Sequence, residues 1–123
     1  MTKAFRCLLV LAAFIAIAGQ SGYADAAGCM QGAKSKKSTN PVKVKFVNKS
    51  GEYRGVFWLD YKGQMVNYAN LNPGESYTVD TFVSHPWVFT DGPGNCIEMY
   101  YPAKGKNRYN ITVKSSGSGQ DGD

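Results

Sequence analysis

The sequence predicts an all-β domain, an antiparallel β-sandwich of about seven strands, with a small barrel as the alternative. Three observations carry that expectation. Apolar residues recur with a period of two: Val42, Val44 and Phe46 alternate with Lys43 and Lys45, and Tyr109, Ile111 and Val113 alternate with Arg108, Asn110 and Thr112. No stretch between them shows the 3.6-residue period of an amphipathic helix. Turn-forming sequences break the chain at near-regular intervals, at Lys62-Gly63, Asn72-Pro73-Gly74, Gly92-Pro93-Gly94 and Gly105-Lys106-Asn107.

Each strand follows from its local chemistry. Val42–Phe46 is half-buried, with lysines on its outer face. Gly55–Asp60 and Gln64–Tyr68 flank the tight Lys62-Gly63 turn and are therefore hairpin partners. Glu75–Thr81 follows the Asn-Pro-Gly turn. Trp87–Asp91 is entered through the rigid Pro86, and Cys96–Tyr101 follows Gly92-Pro93-Gly94. Tyr109–Val113 closes the set. All are rich in β-branched or aromatic side chains, and the region holds 13 of the 16 aromatic residues. The domain is placed at residues 42–114.

The flanks read differently. Residues 1–26 have the three parts of a secretory signal: a charged start at Lys3 and Arg6, an apolar run from Leu8 to Ala18, and a small-residue exit at Ala24-Asp25-Ala26. The apolar run is shorter than the roughly 20 residues that cross a bilayer, so no stable membrane anchor is expected. Ala26-Ala27-Gly28-Cys29 leaves a lipidated Cys29 as an alternative. Residues 27–41 read as a flexible basic arm, and 115–123 as a disordered Ser/Gly tail. The resulting localisation is secreted or periplasmic. Export would remove Cys7 and leave Cys29 and Cys96 to pair as a disulfide, with two free thiols as the alternative.

The composition argues for a binding surface rather than a reaction. A single histidine excludes catalytic or metal chemistry that needs two. Gly92-Pro93-Gly94 lacks the Lys-Ser/Thr and helix of a phosphate loop, and Asp60, Asp80 and Asp91 sit on separate strand ends. Ser84 beside His85 does not make a catalytic pair by adjacency, because a triad is spatial. The net charge of +5 is spread along the chain, so nucleic acid is not an expected partner. No enzyme activity, cofactor or metal is expected. The sequons at Asn48 and Asn110 are weak signals, the first better explained by a structural turn.

The unusual group is Trp58, Tyr68, His85 and Trp87. Large aromatics with polar handles, together with an imidazole, can build a shallow cup with apolar walls and inward-facing N–H and O–H groups. On pattern alone core packing is the commoner role for residues such as Trp58 and Trp87, and composition does not decide between the two. The runs Phe46-Val-Asn48-Lys-Ser50, Trp58-Leu59, Leu71-Asn-Pro73-Gly74 and Thr81-Phe82-Val83-Ser84-His85-Pro86-Trp87 resemble, in order and spacing, the β domain of the von Hippel-Lindau tumour suppressor family. That resemblance implies a β-sandwich that binds 4-hydroxyproline in an extended peptide. It implies that Trp58 faces the ligand, Tyr68 meets the peptide backbone, His85 hydrogen-bonds the prolyl hydroxyl and Trp87 lines the pocket. Thr81 stands where the family has a serine sharing that hydroxyl, keeping the O–H and adding a methyl. The family's helical domain, which recruits elongin and cullin, has no counterpart after the last strand, so ligase partners are not expected. The partner implied is a hydroxylated peptide or protein, or a small hydroxylated ligand. The alternative is a structural or accessory sandwich with no small-ligand site.

Overall fold

A computed structural model describes residues 29–115; the expected signal segment, Cys7 and the tail from 116 onward lie outside them. Seven strands run in chain order: β1 (Pro41–Asn48), β2 (Arg54–Leu59), β3 (Met65–Leu71), β4 (Ser76–Phe82), β5 (Trp87–Thr90), β6 (Cys96–Tyr100) and β7 (Arg108–Ile111). They form two sheets, β4-β1-β7 and β3-β2-β5-β6. The β-sandwich is therefore present, and its hairpins are antiparallel. One pairing departs from the expected pattern: β7 runs parallel to β1, with Phe46 opposite Tyr109. The chain reaches β7 from β6 by crossing between the sheets, so no hairpin turn dictates its direction.

The core lies between the sheets. Val44, Phe46 and Ile111 on one side meet Val56, Leu71, Trp87 and Phe89 on the other, all buried. Phe46 is central, with ring centroids 5.3 Å from Trp87 and 5.1 Å from Phe89, distances at which tilted and edge-on aromatic pairs add to simple area burial. Gly55 is required by close packing: a Cβ there would fall 2.7 Å from the Thr90 hydroxyl.

Asn48, at the end of β1, is fully buried. Its Nδ2 donates to the carbonyls of Glu52 and Leu71, and its Oδ1 accepts from the Ser50 amide and hydroxyl. The first sequon is thus a structural turn, with its amide nitrogen committed inside the protein. At the far end, the buried Glu98 accepts from the Tyr109 hydroxyl and from the Val113 amide. Burial, and next this carboxylate, push the Tyr109 phenol well above its ordinary pKa.

The segment before β1, read from sequence as part of a flexible arm, carries no strand yet is tied along the domain. Cys29 is joined to Cys96 by a disulfide with a Cα–Cα separation of 6.4 Å. Ser35 is buried, its amide donating to the Asp60 carbonyl and its hydroxyl to the Leu59 carbonyl. Lys36 N donates to Ser84 O, and Val83 N donates to Asn40 O. Beyond the disulfide, backbone groups and serine hydroxyls do this anchoring, which is why the polar composition of the stretch did not reveal it.

Candidate functional site

Trp58 and Trp87 sit directly opposite each other on β2 and β5, with side chains on the face turned toward the other sheet. Thr81 stands near the end of β4, buried, on the inward face of the opposing sheet. Tyr68 arrives by a different route. Val56 pairs with Ala69 while Phe57 pairs with Asn67, so Tyr68 is the extra residue of a β-bulge. A bulge re-aims the side chain it frees. The Tyr68 ring lies 5.0 Å from Trp87 and 6.3 Å from Trp58, edge-on to both.

His85 is set by the turn after β4. Ser84 holds φ at 76°, a left-handed conformation uncommon for a residue with a Cβ. Its hydroxyl donates to Lys36 O at 3.1 Å, and His85 N donates to Phe82 O at 3.1 Å. The segment before β1 therefore clamps the turn that aims the imidazole. His85 is 5% exposed. Burial holds its pKa below the ordinary 6.5, partly offset by the Lys36 backbone.

Both ring nitrogens have partners. Trp58 Nε1–H donates to Nδ1 at 3.3 Å, and the Tyr61 hydroxyl lies 3.3 Å from Nε2. An indole N–H can only donate, so Nδ1 is the acceptor and, in the neutral ring, Nε2 carries the proton. The Thr81 hydroxyl accepts from Trp87 Nε1–H at 3.1 Å, which leaves its own proton and a second lone pair available.

These residues border one open cavity of about 240 Å³, whose wall includes Trp58, Tyr61, Tyr68, Thr81, His85 and Trp87, with Asp80 and Phe82 at β4. All five residues singled out in the sequence thus meet at one place. Trp87 belongs to both readings: it is 2% exposed in the core cluster while one edge lines the cavity. Tyr61 and Phe82 were not singled out. Both are sequence neighbours of named residues, but an exposed tyrosine in a turn and an outward-facing strand phenylalanine carry no periodic signal. Phe82 packs 5.2 Å from His85, and Tyr61 lies 5.4 Å from it.

The cavity is smaller than the ~300–1,000 Å³ typical of sites for whole drug-sized ligands, so it suits one side chain of a larger partner. Its walls are largely aromatic, and polar groups of His85 and Thr81 border it together with the Tyr61 and Tyr68 hydroxyls and Asp80. Among the described residues no cluster of His, Cys, Asp and Glu could hold a metal ion.

A family model, the VHL beta domain, matches residues 33–108. The chain belongs to the VHL β-domain family. The match covers more than half of the chain and starts inside the segment that the structure finds pinned to the sandwich. The VHL β domain is a binding module for hydroxyproline-containing peptides, and the aromatic cluster and histidine of such a module are present here.

Proposed function

We propose that this VHL β domain is an exported binding module that takes a hydroxyproline-like group into the cleft formed by Trp58, Tyr68, Thr81, His85 and Trp87. The observation that carries the reading is the pairing of an aromatic-walled cavity with two polar groups of known direction. Neutral His85 offers an Nε2–H, and Thr81 keeps one free lone pair and one O–H. A ligand hydroxyl can accept from His85 and donate to Thr81 at once. An ammonium can only donate, so it would leave the His85 Nε2–H without an acceptor. The saturated ring bearing that hydroxyl rests against the indoles, which favour apolar C–H surface.

A peptide is favoured over a free small molecule by the cavity's size and by its setting. Among the described residues β4 pairs only with β1, and so presents an unpaired edge beside the cleft. An extended chain can use that edge for backbone hydrogen bonds while one side chain enters the cavity. The Cys29–Cys96 disulfide and the signal-like start together support an oxidising, exported setting. The test is a panel of short peptides differing only in proline or 4-hydroxyproline at the centre, titrated into the purified domain. Preferential binding of the hydroxylated set is the expected result. Equal failure of both sets would favour an accessory sandwich in which the same aromatics only pack.

A further inference from the structure

Tyr61 sits in the tight turn between β2 and β3, and its hydroxyl meets the one imidazole nitrogen that the proposed function needs. Nδ1 of His85 is held by Trp58, so the Nε2 proton is the group available to a ligand oxygen. The Tyr61 oxygen accepts it at 3.3 Å. We propose that the Tyr61 hydroxyl occupies the ligand-hydroxyl position of the cleft and must swing away before a hydroxylated residue can bind. Tyr61 would then tune the affinity of the site from within; this inference rests on the hydroxyproline reading above.

The geometry separates a moving side chain from a fixed backbone. Asp60 Oδ1 accepts from the amides of Lys62 and Gln64, both at 2.8 Å, and Asp60 N and O close the turn onto Gln64 and Gly63. Four hydrogen bonds thus hold the turn. Tyr61 is 54% exposed, and its ring meets Trp58 and His85 edge-on, at 85° and 89°. Rotation about its side-chain torsions moves the hydroxyl into water, where it is solvated, and frees Nε2–H. A ligand oxygen entering at that point replaces one hydrogen bond with another, so part of its binding energy is spent on the exchange.

Tyr61→Phe removes the competing oxygen and keeps the ring. The probe is an acetylated, amidated peptide with a central 4-hydroxyproline, titrated by calorimetry into the full exported chain and the variant. The variant should bind about three- to tenfold more tightly, the span set by one modest net hydrogen bond. Unchanged or weaker binding would overturn the proposal; weaker binding would make Tyr61 a direct ligand contact instead. A second readout needs no ligand. The His85 Nε2 proton should exchange with water faster in Tyr61→Phe than in the wild type, and equal rates would overturn the proposal whatever the peptide does. Faster exchange with a probe that binds neither protein would support Tyr61 as the cap on His85 and remove the hydroxyproline reading.

Discussion

Trp58 donates its indole N–H to Nδ1 of His85 across 3.3 Å, and this contact decides what the imidazole can offer. A donor-only partner fixes the tautomer, so the outward nitrogen carries the proton whenever the ring is neutral. The same contact opposes protonation, since a second proton on Nδ1 would face the indole N–H. Trp58 is thus a positioning residue as well as a wall of the cleft.

The first prediction is a pH dependence. The folded-state pKa of His85 lies below its ordinary 6.5, chiefly through desolvation. The unfolded chain therefore binds more protons between those two values, and stability falls as pH drops through that window. His85 contributes its full share above about 6.5 and loses it progressively below. The chain has one histidine, so its ring signals in an NMR titration report the site without ambiguity. A midpoint at or above 6.5 would contradict the burial argument.

The second concerns Thr81 and Trp87. Thr81→Val keeps the shape but leaves the indole N–H of a residue only 2% exposed without its acceptor. Chemical denaturation should show a loss of about 1–3 kcal/mol. Thr81→Ser should keep most of the stability, since it restores the hydroxyl.

Ser84 provides a third. Its left-handed backbone costs energy for any residue with a Cβ, while its hydroxyl recovers some by bonding Lys36 O. Ser84→Ala loses the bond and keeps the strain, and should cost about 1 kcal/mol. Ser84→Gly loses both together and should lie close to the wild type in thermal melts.

The fourth concerns the tether. The disulfide spans 67 residues and secures the start of a segment whose later residues hold the Ser84–His85 turn. Replacing both cysteines by serine should lower stability by about 2–4 kcal/mol. Urea denaturation with and without reductant checks it: the wild type should respond to reductant and the double variant should not.

Much of the sandwich was legible because period-two alternation and Pro-Gly turns are local signals. β2 and β4 lie within a residue of their expected bounds. The parallel β1–β7 pairing was not legible, since it depends on a crossing between sheets that leaves no mark in either strand. Neither was the pinned segment before β1, whose hold on the domain is made of backbone groups around Ser35 and Lys36. In the cleft, Trp58, Tyr68, Thr81, His85 and Trp87 could be named from landmark spacing, though not their roles toward one another. The bulge that frees Tyr68 and the Trp87–Thr81 bond arise from register and packing. Tyr61 was missed because an exposed turn tyrosine carries no signal until the fold brings it to His85.

Recognition of a ligand hydroxyl by His85 is the step on which the proposed function turns, and calorimetry on His85→Ala probes it. Hydroxyproline and proline versions of one peptide would be titrated into the wild type and the variant. The wild type should prefer the hydroxylated peptide. His85→Ala should weaken binding of that peptide about tenfold or more while leaving the weak binding of the proline peptide nearly unchanged. A wild type that binds both peptides alike, with His85→Ala altering neither, would contradict it and leave the cleft as packing alone.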